Sequence, residues 1–118
     1  MDFNQYQEKA KETAVFPGLK IDVNKELETI SYVYPALGLV GEAGEVAEKI
    51  KKLIRDKGGQ VTNEDQQTIR KELGDVLWYI AVLADLFGLT LQDIAQGNID
   101  KLASRKDRNV LNGSGDDR

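Results

Sequence analysis

The stretches ALGLVGEAGEVAEK, residues 36–49, and KELGDVLWY, residues 71–79, decide the fold class of this chain. At an offset of 30 residues, EAGEV in the first stretch matches ELGDV in the second, and apolar residues recur at matching places on both sides. Apolar residues at helical spacing predict one core-facing stripe in each stretch. Because the connection between them is short, we expect two antiparallel helices.

Start and stop signals around these stretches predict four helices and no strand. Asn63 with Gln66 three residues later is typical of a capping box, and Thr90 with Asp93 repeats the pattern. The segment Val15–Ile30 is predicted to be an irregular connection. The predicted helices cover residues 1–14, 34–56, 64–87 and 91–105.

Residues 1–118 are predicted to form one all-α domain of the four-helix bundle type. Residues 112–118 are small and polar, and we expect a flexible tail that orders only over a ligand or a neighbouring subunit. The longest apolar run, Val76–Ala84, is too short to span a bilayer, and the N-terminus lacks the pattern of a signal peptide. We therefore expect a cytoplasmic protein with no membrane partner.

The chain contains no histidine and no cysteine. It therefore lacks the commonest general base and all imidazole and thiolate ligands, which excludes Ser-His-Asp hydrolysis and zinc-protease chemistry. A catalytic metal would need mainly oxygen ligands, which favours Mg²⁺, with Mn²⁺ as a substitute. The net charge of −4 argues against duplex nucleic acid as the main partner.

Four acidic residues occupy matching places in the two central helices: Glu42, Glu45, Glu72 and Asp75. Residues three apart are neighbours on one helix face, so each pair of like charges repels. The repulsion grows where two pairs meet at the edge of a core, because the dielectric constant is lower there. A bound divalent cation would explain the pattern. The simpler alternative is solvated surface charge, with Glu45 paired to Lys49.

Residues 36–49 and 71–79 resemble the second and third helices of the MazG-like nucleoside triphosphate pyrophosphohydrolases, which belong to an all-α superfamily. The signature of that family is E-x-x-E, a spacer and E-x-x-D, and the flanking residues make the match specific. The resemblance implies hydrolysis between the α and β phosphates. It implies that Mg²⁺ ions are held by Glu42, Glu45, Glu72 and Asp75. One of the four acids, such as Glu45, is a candidate general base instead of a ligand, and the sequence leaves that choice open.

The resemblance also assigns substrate binding to Asn98, Lys101 and Arg105 on the fourth helix. The cationic side chains of Lys101 and Arg105 can hold phosphate oxygens that metals do not reach. The alternative is an ordinary basic last turn that complements the helix dipole.

Tyr79 lies one turn beyond Asp75, on the acid side of the third helix, and is a further candidate for substrate contact. Other aromatic residues are candidates for a wall that stacks on a base, although core packing is the simpler explanation for each. These residues are Phe3, Tyr6, Phe16, Tyr32 and Tyr34.

Together these features predict an enzyme that hydrolyses nucleoside or deoxynucleoside triphosphates to the monophosphate and pyrophosphate, in nucleotide-pool housekeeping. Two alternatives stay open. The same fold could act on a restricted dNTP or on guanosine tetra- or pentaphosphate, or the chain could be a non-catalytic helical interaction module.

The third helix carries apolar residues on two opposite faces. We expect the stripe of Ile69, Leu73 and Ile80 to face the core, and Trp78 and Val82 to face a second subunit. The predicted assembly is a homodimer or homotetramer, as the resemblance also suggests. Coverage of the second face by the first helix or by the Val15–Ile30 connection is the alternative.

Overall fold

The computed structural model describes residues 1–23 and 26–118, with the backbone alone described at 21–23 and 26–29. Within these residues the chain forms four helices and one two-stranded hairpin, so the predicted all-α, four-helix class is confirmed. The elements are α1 (Phe3–Glu12), β1 (Leu19–Val23), β2 (Glu26–Ile30), α2 (Val33–Lys57), α3 (Asn63–Leu86) and α4 (Leu91–Asp107).

Two predicted helix boundaries are confirmed by their capping residues. Gly58 ends α2 in the left-handed conformation, with φ 59°, and its amide donates to the carbonyl of Leu53. At the start of α4, the hydroxyl of Thr90 accepts a hydrogen bond of 3.1 Å from the amide of Asp93. These caps fix where α2 turns back towards α3 and where α4 departs.

The start of α3 corrects a prediction. The capping box is formed by Thr62 and Asp65, one residue before the predicted pair of Asn63 and Gln66. The Asp65 carboxylate accepts from the Thr62 amide at 2.9 Å and from the ammonium of Lys57 at 2.7 Å. Asp65 therefore joins the end of α2 to the start of α3. The predicted Gln66 could not form this ion pair, because its side chain is an uncharged amide.

The hairpin corrects the prediction that the connection between the first two helices is irregular. β1 and β2 are antiparallel, with Leu19 opposite Ile30 and Val23 opposite Glu26. The segment LKIDV of β1 alternates between apolar and polar residues, which is the period of a strand, whereas ELETI of β2 keeps that alternation only over its first three residues. Residues 24–25 also belong to that predicted connection and lie outside the described residues.

The small core lies between α1, α3 and α4, which corrects the predicted use of the two faces of α3. Val82 is 3% exposed, and the indole nitrogen of Trp78 donates to the hydroxyl of Thr13 at 2.8 Å. The face predicted to meet a second subunit is thus covered by α1 and the residues after it. In the stripe predicted to face the core, Ile80 packs against the core cluster, whereas Leu73 is 52% exposed. The buried residues of this core cluster are Ala10, Ala81, Val82 and Leu91.

One buried glutamine holds the junction of α3 and α4. The amide nitrogen of Gln7 donates to the carbonyls of Ala81 at 3.1 Å and Leu89 at 3.0 Å, and its oxygen accepts from the amide of Leu91 at 3.1 Å. Of the described helices, none is by itself long and apolar enough to cross a membrane. Only α3 and α4 taken together would pass that test, and they are bent by 103° at their junction.

Candidate active site

The pairing of α2 with α3 brings three of the four predicted acids together. Carboxylate oxygens of Glu42, Glu72 and Asp75 all lie within 4.8 Å of one another. Glu42 and Glu72 are half-buried and Asp75 is exposed. We call these three residues the acid cluster. Because the two helices are antiparallel, one acid from α2 meets the acid pair of α3, and the cluster lies along the groove between them.

Glu45 lies outside the acid cluster. It is one helical turn beyond Glu42 on α2, and its side chain is exposed. Its charge still acts on the cluster, because it contributes to raising the pKa of Glu42. Of the four predicted acids, Glu45 is therefore the one that lies outside the acid cluster.

The electrostatics of the cluster favour a cation. Burial is the largest cause that raises the pKa of Glu42, followed by the charges of Asp75, Glu72 and Glu45. Three oxygens from half-buried and exposed carboxylates form a donor set that suits a hard divalent cation, which takes oxygen ligands and shares its shell with water and phosphate. The residues present therefore fit such a metal. This donor set agrees with the prediction that the metal ligands are mainly oxygen atoms, which followed from the absence of histidine and cysteine.

Tyr79 packs against α2 beside the cluster. Its ring lies over Gly38, and its pKa is raised by burial first, then by Tyr34, Glu42 and Asp75. The structure thus places the Tyr79 hydroxyl near the acids, on the side that the sequence predicted.

A second tyrosine lies near the acids, although the sequence predicted it only as a candidate for the wall that stacks on a base. Burial and the charge of Asp75 raise the pKa of Tyr6 on α1, which places its hydroxyl close enough to Asp75 to sense that charge. Further along the same side, the rings of Phe16 and Tyr34 stack at 5.1 Å with an interplanar angle of 8°. The sequence signal for Tyr6 was only its apolar spacing in α1, which does not report a contact 69 residues away.

The candidate substrate residues on α4 point to a different partner. The Lys101 ammonium lies 2.8 Å from the carboxylate of Asp116, and a guanidinium nitrogen of Arg105 contacts the same carboxylate and the Asp116 carbonyl. Arg105 is 5% exposed, whereas Asn98 is exposed. Among the described residues, no hydrogen bond or ion pair joins these three to the acid cluster.

The last residues of the chain form a closed loop against α4. The Arg118 guanidinium donates to the carbonyls of Val110, Leu111 and Gly115, and the Arg108 side chain donates to the Arg118 carbonyl at 2.8 Å. The predicted tail therefore has its own set of contacts, and its flexibility stays a prediction.

Comparison with known proteins agrees with this geometry. The chain is all-α, and its antiparallel central helices bring carboxylates together across a groove. These features place it in the class of helical proteins with an acidic site. The family described as the MazG nucleotide pyrophosphohydrolase domain matches residues 34–110, and the chain belongs to that family. The matched segment contains α3, α4 and all of α2 except Val33, and with them the four predicted acids, Tyr79 and the three candidate residues on α4. Enzymes of this family are metal-dependent.

Two relatives extend the comparison. The chain is 48% identical over 118 residues to the Gene 37 protein of Mycobacterium phage L5, with both chains covered completely. It is 35% identical over 72 residues to the uncharacterized protein YvdC of Bacillus subtilis (strain 168), which covers 57% of this chain and 68% of that protein. No solved structure matches the chain significantly.

Proposed function

We propose that this protein hydrolyses nucleoside or deoxynucleoside triphosphates to the monophosphate and pyrophosphate, with Mg²⁺ as the metal and Mn²⁺ as a substitute. The observation that carries the proposal is the meeting of Glu42, Glu72 and Asp75 within 4.8 Å, in a chain of a nucleotide pyrophosphohydrolase family. Oxygen-only donors and the absence of histidine and cysteine favour Mg²⁺ over transition metals.

The reaction breaks one phosphoric anhydride bond. A water oxygen attacks the α-phosphorus, the bond to the oxygen that bridges the α and β phosphates breaks, and pyrophosphate leaves with that bond's electron pair. The water proton passes to a base. Bound Mg²⁺ would neutralise phosphate oxygens and lower the pKa of water.

The residues of the chain orient this reaction. Glu42, Glu72 and Asp75 would hold the metal, and Glu45, which lies beside them and outside the cluster, is the candidate to accept the water proton. The Tyr79 hydroxyl, close to Glu42, can donate a hydrogen bond to a bound phosphate or sugar oxygen. Each residue acts from a helix, so its position is set before substrate arrives.

The substrate class has two alternatives: a restricted dNTP, or guanosine tetra- or pentaphosphate. A non-catalytic helical interaction module is disfavoured because an unneutralised acid cluster costs stability without a compensating ligand. The cytoplasmic location and the role in nucleotide-pool housekeeping stay predictions from the sequence.

The test is a panel of nucleoside triphosphates, deoxynucleoside triphosphates and guanosine tetraphosphate, with products separated by chromatography in Mg²⁺ and in EDTA. We expect monophosphate and pyrophosphate only with Mg²⁺. Glu72→Gln should reduce turnover by about two to four orders of magnitude. Glu48→Gln, a matched change on α2 at a residue that pairs with Lys51, should not. Orthophosphate as the first product would contradict the proposed cleavage site.

We infer further that two copies of the chain associate through α2, not through the face of Trp78. Val40, Ile50 and Ile54 are 73%, 44% and 66% exposed, and they share one stripe with Ala43 and Ala47 at alternating spacings of three and four residues. That spacing is the seam of a helix pair. Small residues in the middle would let a second helix approach closely.

The exposed area of the single chain supports association. Its surface is 8847 Å², whereas a compact monomer of 13.1 kDa exposes about 6,400 Å². Its radius of gyration is 18.2 Å, against about 13.5 Å for a compact domain of this length. The excess exceeds the roughly 800 Å² that each partner buries in a stable interface.

Light scattering at micromolar concentration tests the interface. We expect a dimer or tetramer for the wild type and a lower mass for Val40→Glu or Ile54→Glu. Val15→Glu is the matched control, since Val15 is 89% exposed and lies off α2. A wild-type mass near 13.1 kDa would contradict the inference.

A further inference from the structure

The groove between α2 and α3 continues past the acid cluster into a cavity of about 180 Å³. On the α2 side it is lined by Lys49 and Lys52, and on the α3 side by Thr68 and Asp65. We call this region the lysine cavity. It lies nearer the turn between the helices than the acids do, and nothing in the predicted site includes it.

The carboxylates that line the lysine cavity are already neutralised. Asp65 is bound by Lys57 at 2.7 Å, and this contact is the largest cause that lowers the pKa of Asp65 to about 2. Asp56 accepts two hydrogen bonds from the Arg55 guanidinium, at 2.7 and 2.9 Å. Each of these acids therefore has another cation as its hydrogen-bond partner, and neither is hydrogen-bonded to Lys49 or Lys52, while the charge of Lys52 acts on Asp56 from a greater distance.

Lys49 and Lys52 are left as the available cations. Lys49 reaches Glu72 of the acid cluster only at 3.9 Å, the limit of an ion pair. Lys52 makes no ion pair with any described residue. Two ammonium groups on one wall of a groove, without close partners, suit an anion with several oxygens.

The spacing along α2 relates the lysines to the acids. Lys49 follows Glu42 by seven residues, and Lys52 follows Glu45 by the same number, so acids and lysines share one face of the helix. Seven residues correspond to about 10 Å along the helix axis. The lysine side chains shorten this separation, since the Lys49 ammonium already lies 3.9 Å from Glu72 and Lys52 follows one helical turn later. A triphosphate with its first phosphate at the acids would therefore extend towards both lysines.

We infer that Lys49 and Lys52 bind the pyrophosphate portion of the substrate, while the α-phosphate lies at the acid cluster; this inference rests on the function proposed above. When the anhydride bond breaks, the leaving pyrophosphate gains negative charge on the former bridging oxygen. The two ammonium groups stabilise that charge by donated hydrogen bonds, and no proton needs to transfer from them. The lysine cavity thus defines the direction in which the substrate lies in the groove.

Phosphorus NMR of tripolyphosphate in EDTA tests the lysine cavity without turnover. We expect the wild-type protein to broaden the tripolyphosphate signals, and Lys52→Met to weaken this binding by about tenfold. Lys51→Met is the matched control, since Lys51 does not line the cavity and pairs with Glu48 at 2.6 Å. Adenosine monophosphate, which has no pyrophosphate portion, should bind equally weakly to all three proteins.

The same variants are then assayed with Mg²⁺ and a hydrolysed triphosphate. Lys52→Met should raise both KM and the inhibition constant of the product pyrophosphate, and Lys51→Met should change neither. The inference is overturned if Lys52→Met binds tripolyphosphate like the wild type, or if Lys51→Met loses as much affinity. If the wild-type protein binds tripolyphosphate through Lys52 but cleaves no nucleotide, the phosphate site is supported and only the proposed function is refuted.

Discussion

The ring of Tyr79 lies so close to the backbone of Gly38 that a methyl group added there would collide with its Cε1 and Cζ atoms. Trp78 meets the same ring edge-on, with the ring centroids 4.9 Å apart, which limits how the Tyr79 ring can move. Glu42 follows Gly38 by one helical turn. The position of the Tyr79 hydroxyl and that of the Glu42 carboxylate are therefore set by the same contact between α2 and α3.

Gly38→Ala should displace Tyr79 and destabilise the protein. Overpacking costs about 1–3 kcal/mol, and the better helix propensity of alanine offsets up to about 1 kcal/mol of that. Gly97→Ala on α4 is the control, since no atom lies within 4 Å of the added Cβ, and it should stabilise the protein. Urea denaturation measures both. A Gly38→Ala variant as stable as Gly97→Ala would show that the ring can move at little cost.

The separation of Glu45 from the acid cluster predicts that metal binding and turnover respond differently to substitution. Mg²⁺ binds only the folded site, so it should raise the melting temperature of the wild type. Glu72→Gln and Asp75→Asn should lose that increase together with turnover. Glu45→Gln should keep most of the increase while turnover falls by about two to four orders of magnitude, as expected for a general base. Equal loss of metal stabilisation in Glu45→Gln would make Glu45 a ligand instead.

Local signals in the sequence predicted the helices well because capping is local. Gly58 and Thr90 lie where predicted, since each satisfies backbone groups within a few residues. At α3 the local pattern offered two overlapping boxes, and the one that forms is Thr62 with Asp65, whose carboxylate also binds Lys57, eight residues away. The hairpin was missed because only β1 alternates clearly between apolar and polar residues.

The second apolar face of α3 was assigned to the wrong partner for a different reason. The sequence shows that Val82 and Leu73 lie on two apolar faces, but not which face another element covers. The deciding contact, from Trp78 to Thr13, joins residues 65 apart in the chain. The convergence of Glu42 with Asp75 was predictable because helical phase and an antiparallel pair suffice for it.

The raised pKa of Glu42 predicts a pH dependence of stability in EDTA. Its folded-state pKa lies above the unfolded value, so the folded state binds the proton more tightly. The free energy of unfolding should therefore fall as pH rises from below the unfolded pKa through the folded pKa. Glu42→Gln should remove this part of the slope.

Glu48 provides the control of opposite sign. Its pKa is lowered by the hydrogen bond from Lys51, so its contribution is present above the unfolded pKa and is lost as pH falls. Because Glu48 is near the surface, the effect of Glu48→Gln should be small. Urea denaturation between about pH 3.5 and 7, around the ordinary glutamate pKa, measures both. A Glu42→Gln variant with the wild-type slope would contradict the raised pKa that burial and the neighbouring acids give Glu42.

The contact of Arg105 and Lys101 with Asp116 predicts that one carboxylate holds the C-terminal loop. Arg105 is buried, and its Nε atom has no hydrogen-bond partner, so Asp116 supplies the neutralising charge for an otherwise isolated guanidinium. Asp116→Asn should weaken both ion pairs, and amide exchange in residues 110–118 should become faster. Asp117→Asn, its neighbour in the same loop, makes none of these contacts and should leave exchange unchanged. Hydrogen exchange followed by mass spectrometry compares the two variants. Equal exchange in both would mean that the loop is held by the Arg118 contacts to the backbone, and that Arg105 and Lys101 are available to another anion.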